Sequence, residues 1–272
     1  MNAMPRLADQ IKQRQQSIWA AGDFSMIATP TTIVGERLCE AVDLRAGQRV
    51  LDIATGSGNT ALAAARRYCE VTGIDFVPSL LERARERATA ERLDIDFREG
   101  DAESLPFPDA SFDVVLSTFG VMFAPDQARA AAELLRVCRP GGKIGLTTWP
   151  PEGFIFELQR TSARYSPPPP KGFQSPVLWG TEKRLRELLG DGVSSLSLTR
   201  LTLLMRHTSV DEWLQFTRNY LGPVRQLVES LDPERQRAIG CEVASLAHAH
   251  NRSGDATMAV PAQYVEVIAV RR

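Results

Sequence analysis

Five short apolar runs alternate with helix-patterned segments over residues 49–149, and no other feature constrains the fold of this chain as strongly. The runs are "RVLDI" (49–53), "EVTGID" (70–75), "DIDFRE" (94–99), "FDVVLS" (112–117) and "KIGLTTW" (143–149). Between them lie "NTALAAARRY" (59–68), "PSLLERARERATAERL" (78–93) and "QARAAAELLRVC" (127–138). Strands separated by helices of roughly 10–15 residues read as βαβ units, whose right-handed crossovers demand a parallel sheet. The Ala-rich segment 59–68 permits close packing on that sheet. "RPGGK" (139–143) is expected to stop its helix and turn the chain back into a strand.

The second half reads differently. "PPPP" (167–170) suits a stiff surface connector. Residues 181–190 form a short helix with Thr181 as N-cap and Gly190 as stop. "SLSLTRLTLLMRH" (195–207) is a long strand, two helices follow over 209–250, and "QYVEVIAVRR" (263–272) is the final strand. The expected organisation is an N-terminal helical lid (1–44), a core (45–150), a connector, helix and strand completing the sheet (151–208), a helical cap (209–255) and a last core strand (256–272).

"VLDIATGSGNT" (50–60) is a strand ending in an acid and a loop with glycines at Gly56 and Gly58. Such a loop lets a ligand touch the backbone, because glycine has no Cβ to collide. The run from Gly56 to Ala61 fits the loose pattern G-x-G-x-x-G/A, so the loop alone leaves a nicotinamide dinucleotide open. A triphosphate loop is disfavoured, since no Gly-Lys-Ser/Thr follows. Asp75, 17 residues after Gly58 and ending the next strand, is placed to accept hydrogen bonds from ribose hydroxyls of any nucleoside. Asp52 either caps the loop through nearby amides or meets the ligand.

Three further features narrow the choice. Asp52 precedes the loop, with Ala54 where a glycine is often found; "GDAESLPFPDASFDVVLS" places Asp101 between the third and fourth strands; "RPGGKI" precedes the fifth. Together with "VTGIDFVPSLLERAR", these resemble the class I S-adenosylmethionine-dependent methyltransferases, in particular the small-molecule group that includes ubiquinone/menaquinone-biosynthesis-like enzymes. The resemblance covers roughly residues 45–150. It implies a Rossmann-like α/β fold: a doubly wound, seven-stranded, mainly parallel sheet with its last strand antiparallel and a helical insertion before that strand. It also implies S-adenosylmethionine (SAM) as cofactor and S-adenosylhomocysteine (SAH) as product. By the same resemblance, Gly56 and Gly58 approach the ribose and methionyl part, Asp75 holds the ribose, and Asp101 with the Ala102 amide meets the adenine edge. Phe76 and Leu105 wall the ring, while main chain near Ser117 and Thr118 approaches the methionyl amine.

A net charge of −1 offers no electrostatic case for nucleic acid or an anionic membrane surface. No apolar run approaches the roughly 18 residues of a membrane span, and no secretory h-region is seen. Four scattered cysteines suit reduced thiols in a cytoplasmic protein. The strand-four sequence Ser117-Thr118-Phe119-Gly120 lacks the Asn/Asp-Pro-Pro-Tyr/Phe motif of many amide and nucleobase methylating enzymes. The expected acceptor is therefore a small molecule, methylated by a monomer or homodimer. Apolar side chains outside the motifs supply its pocket: Trp19, Phe24, Phe119, Met122, Trp149, Phe216 and Tyr220, with Met26 and Trp213 as further members. Among titratable groups His207 is the one catalytic candidate, and a metal pair at His248 and His250 is not expected, because they point to different sides. The charge run "ERARERATAER" needs only a solvated helix face. Two other classes stay open: a methyltransferase-fold protein that binds SAM without transferring methyl, and a nicotinamide-dependent oxidoreductase, although no Tyr-x-x-x-Lys dyad occurs.

Overall fold

The computed structural model describes residues 7–169 and 172–272. Residues 1–6 of the expected lid, and Pro170 of the proline run, lie outside the described residues. Parallel strands β1 (Arg49–Ile53), β2 (Glu70–Asp75), β3 (Ile95–Glu99), β4 (Phe112–Thr118), β5 (Cys138–Thr148) and β6 (Val193–His207) form one sheet with β7 (Met258–Arg271), which runs antiparallel between β5 and β6, in the order β3-β2-β1-β4-β5-β7-β6. This is the expected α/β, Rossmann-like methyltransferase sheet. The order reverses between β1 and β4, so the crevice beyond their C-terminal ends is where such a sheet takes a ligand.

Helices α1 (Leu7–Ala20), α2 (Phe24–Ala28) and α3 (Thr32–Ala41) precede the sheet. Helix α4 (Asn59–Ala65) is buried at every residue, which its alanines permit by keeping it close to both sheet and α3. Helices α5 (Pro78–Glu91) and α6 (Gln127–Val137) complete the first crossovers. Leu51, Val115, Ile144, Leu134 and Trp179 form the core on one side of the sheet, and Leu38, Val50, Leu62 and Val114 that on the other.

Several boundaries depart from the sequence reading. "RPGGK" lies inside β5, which starts at Cys138, paired with Phe112 across a register shift. The helix ends earlier, at Val137, and the glycines open a bulge within the strand instead of forming the turn that leads into it. β7 begins five residues before Gln263, at Met258. Its early part pairs only with β6, because β5 ends at Thr148 opposite Val265. A two-stranded ribbon, Leu201–His207 against Met258–Tyr264, therefore overhangs the crevice.

That ribbon carries the cap. Helices α7 (Gly153–Ala163), α9 (Val210–Tyr220), α10 (Gly222–Glu229) and α11 (Pro233–His250) assemble there, while α8 (Glu182–Leu189) packs on α6. Phe154, Trp213, Ile239, Val243, Met258 and Val260 make a separate core beneath them. The first of the two helices expected over 209–250 is broken at Leu221, whose extended backbone precedes Gly222 and Pro223. Pro223 has no N–H to bond back into α9 and its ring would clash with the preceding turn, so a new helix starts instead. Among the described residues, no helix is long and apolar enough to cross a membrane.

Candidate functional site

The loop after β1 is built on left-handed backbone: Ala54, Gly56 and Gly58 have φ of 52°, 55° and 86°. A Cβ on Gly58 would crowd Ala84 and Leu62 at 3.2 Å and Phe97 at 3.3 Å, so glycine is required there for both angle and space. Gly56 differs. The one atom near its absent Cβ is on the Phe24 ring, 3.9 Å away, so its backbone faces open space beneath α2. Ala54 takes up a conformation that costs a Cβ-bearing residue about 1 kcal/mol. Its methyl fits because residue 120 is glycine; a Cβ there would lie 2.5 Å from that of Ala54.

Asp52 is held by the loop it precedes. Its Oδ2 accepts from Thr55 Oγ1 at 2.5 Å and from the Ala61 amide at 3.0 Å, capping α4, while Oδ1 is buried without a partner. Burial lifts its pKa to about 7, against the pull of the Thr55 and Ala61 hydrogen bonds. Asp75 ties loop to strand: Oδ2 accepts from the Gly56 amide at 2.8 Å and Oδ1 from Val77 at 2.9 Å. Burial raises its pKa to about 6 although three backbone amides favour the carboxylate. Each Asp75 oxygen keeps a second lone pair for a ligand hydroxyl.

Asp101 opens the turn after β3, with Ala102 inside it. Its Oδ1 accepts from the Glu103 amide at 2.9 Å, and Lys12 of α1 lies 2.5 Å from both Asp101 Oδ2 and Glu103 Oε2. Burial alone would lower the Lys12 pKa, but hydrogen bonds and charge from these two carboxylates outweigh it and raise it. Glu103 is itself buried and accepts from the Asp126 amide at 2.7 Å. Phe76 is partly buried, its carbonyl bonded by Gln16, and Leu105 belongs to the core. Ser117 Oγ bonds the Ile53 carbonyl at 2.7 Å and accepts from Val121, locking the ends of β1 and β4 together. Thr118 Oγ1 accepts from Thr60 Oγ1 at 2.7 Å.

Across the switch point the crevice is aromatic. Phe119 stacks on Trp149 at 3.9 Å with 2° between planes, and meets Tyr264 edge-on at 5.7 Å. Trp19 sets its ring against Phe24 at 5.4 Å and Phe123 at 5.2 Å. On the cap, His207, Phe216 and Tyr220 follow one another at 5.1 Å, and His207 Nδ1 lies 2.8 Å from Glu212 Oε2. Met122 and Trp213 are placed elsewhere: Met122 is fully buried in the main core, Trp213 in that of the cap, and Met26 is 40% exposed.

Sequence reasoning passed over several of these residues. Arg87, within the charge run read as a solvated face, reaches the Ser57 carbonyl at 2.6 Å and Asn59 Oδ1 at 2.7 Å, clamping the glycine loop. Asn59 in turn donates to the Ala28 carbonyl at 2.8 Å, joining that loop to α2. The clue lay in Arg87 standing three residues after Ala84 and one before Ala88, both on the buried stripe of α5. Lys12, Glu103, Glu212 and Tyr264 carried no local signal.

A nucleoside without phosphate fits this arrangement. Carboxylates at the ends of β2 and β3 suit hydroxyl and amine donors and repel phosphate, while the open backbone at Gly56 accepts a ligand where a Cβ would intrude.

Comparison with known proteins agrees. The methyltransferase-domain family matches residues 51–146. Uncharacterized protein Rv1403c of Mycobacterium tuberculosis is 41% identical over 235 residues, 85% of this chain and 86% of that protein. The demethylmenaquinone methyltransferase of Deinococcus radiodurans is 47% identical over 118 residues, 41% of this chain and 49% of that enzyme. In fold, the crystal structure of YcgJ from Bacillus subtilis aligns with a TM-score of 0.59 at 21% identity, covering 88% of this chain and 99% of YcgJ.

Proposed function

We infer the reaction from one premise: the chain belongs to the class I S-adenosylmethionine-dependent methyltransferase family. From it we propose methyl transfer to an oxygen, nitrogen or carbon of a small apolar or aromatic molecule in the cytoplasm, leaving S-adenosylhomocysteine. The observation that carries this reading is the division of the crevice. Carboxylates and open backbone lie over β1, β2 and β3, and the Phe119–Trp149–Tyr264 group lies over β4, β5 and β7.

When bound, SAM supplies a methyl already activated by its sulfonium. The protein's task is then alignment and exclusion of water. Asp75 and Asp101 hold the nucleoside by its hydroxyl and amine donors, and Gly56 admits its ribose and methionyl part. The flat face of the Phe119–Trp149 pair offers a planar acceptor a stacking surface. For an acceptor that must lose a proton, His207 is the proposed base: with Nδ1–H donated to Glu212, Nε2 keeps its lone pair.

Incubation with methyl-labelled SAM and a panel of phenols, hydroquinones, thiols and amines tests the proposal, read by SAH release. Transfer to planar aromatic members is expected. Tight SAH binding without release from any acceptor would favour the fold's non-transferring use, and NADH binding without SAM binding would overturn the assignment.

The raised pKa of Asp75 adds a pH prediction. Ribose hydroxyls donate to a carboxylate, so SAH affinity should be flat at neutral pH and fall about tenfold per unit as pH drops below about 6. Folding has the opposite sign. An acid whose folded pKa exceeds its unfolded value near 4 contributes most when protonated, so the contribution of Asp75 without ligand declines as pH rises from about 4 to 6. Calorimetric titration with SAH from pH 5 to pH 8 checks the first effect; an affinity unchanged across that range would refute it.

A further inference from the structure

Helix α1 touches three of the loops around the nucleoside end of the crevice. Lys12 bridges Asp101 and Glu103 after β3, Gln16 bonds the Phe76 carbonyl after β2, and Gln15 donates to the Phe123 carbonyl after β4 at 3.2 Å. The loop after β1 is reached indirectly, since Trp19 packs on Phe24, whose ring covers Gly56. The other end of the helix belongs to the cap. Gln226 donates to the Ser17 carbonyl at 3.3 Å and Arg225 to that of Ala21 at 3.2 Å. There Gly22 and Gly222 bring backbone against backbone: a Cβ on Gly22 would lie 2.1 Å from the Tyr220 carbonyl, and one on Gly222 2.0 Å from that of Ile18.

One end is thus seamed to the cap and the other is held on the core by side chains, with one ion bridge among them. We propose that α1 is a gate over the nucleoside pocket, hinged at Gly22–Gly222 and latched by Lys12, so that SAM enters and SAH leaves only when the Lys12 bridge to Asp101 and Glu103 breaks. This rests on the cofactor reading above. Glu103 is 6% exposed and Lys12 27%, so the bridge is sheltered from solvent on one side. Breaking it leaves two carboxylates facing each other without a counter-charge. The bridge does not use the second lone pairs of Asp101, so it stands with or without ligand. It therefore raises the barrier in both directions and leaves the equilibrium nearly unchanged. Lys12 is a positioning residue: it sets when the site opens.

Stopped-flow association and dissociation of SAH with the full chain, at low and high sodium chloride, tests the gate. In the wild type both rate constants should rise with salt, which screens the bridge. Lys12→Ala should raise both by about fivefold to tenfold at low salt, keep Kd within about threefold of wild type and lose most of the salt response. Lys12→Arg, which restores the charge, should return to wild-type rates. Circular dichroism of the variants checks that they fold. Unchanged rates in Lys12→Ala would overturn the latch. So would faster dissociation alone with matching loss of affinity, which marks an ordinary ligand contact. Failure of the wild type itself to bind SAH would instead overturn the cofactor reading.

Discussion

Replacing Asp75 with alanine is expected to weaken SAH binding by at least about 100-fold. Two hydrogen bonds from ribose hydroxyls to a carboxylate contribute about 1.5 kcal/mol each at the low end, and each 1.4 kcal/mol is a factor of ten. The loss extends beyond the ligand. Asp75 also accepts from the amides of Gly56 and Val77, so its removal strips the glycine loop of the group that fixes it to β2. Asp75→Asn separates the two contributions. An amide oxygen still accepts from one partner, and that variant should bind SAH more tightly than the alanine one but more weakly than wild type. Titration calorimetry of the three proteins decides it, and alanine affinity within about threefold of wild type would refute the ribose role.

Gly22→Ala should be among the most disruptive single methyls outside the sheet. The added carbon falls 2.1 Å from the Tyr220 carbonyl oxygen and 2.9 Å from the Gly222 nitrogen, both backbone atoms that no rotamer change moves aside. Overpacking of this kind costs about 1–3 kcal/mol, and backbone on the receiving side places this case near the top. A fall in melting temperature of roughly 4–10 °C follows for a chain of this size. Protease cleavage near residues 20–30 should also appear, as α1 and α2 come away from the cap. Gly222→Ala should do the same, and because both methyls open one seam, their effects should add incompletely. A Gly22→Ala melting temperature within about 1 °C of wild type would show that the helices slide past each other freely.

These two variants mark how differently the site residues announce themselves. The places of Asp75 and Gly56 were legible because they follow from position along one strand–loop–helix unit, where the reach of a few residues sets what an atom can touch. The whole left half of the sheet, from β3 to β4, was legible for the same reason. Arg87 was hidden by its company: six charged neighbours in "ERARERATAER" imitate a solvated face, and only the packing of α5 turns this one toward the loop. Met122 was misplaced in the other sense, since an apolar residue near a crevice and one beneath it look alike in sequence.

By itself, then, the sequence determined the alternating strands and helices of residues 49–149 and the placing of Gly56, Asp75 and Asp101 after their strands, because strand periodicity, glycine placement and acid spacing are local properties. The tertiary structure alone decided the rest. Lys12 meets Asp101 across 89 positions, and Gln226 meets Ser17 across 209. Phe119, Trp149 and Tyr264 become one aromatic wall only because β7 returns antiparallel beside β5. Contacts of such separation depend on how whole elements pack, and no window of neighbouring residues contains that information.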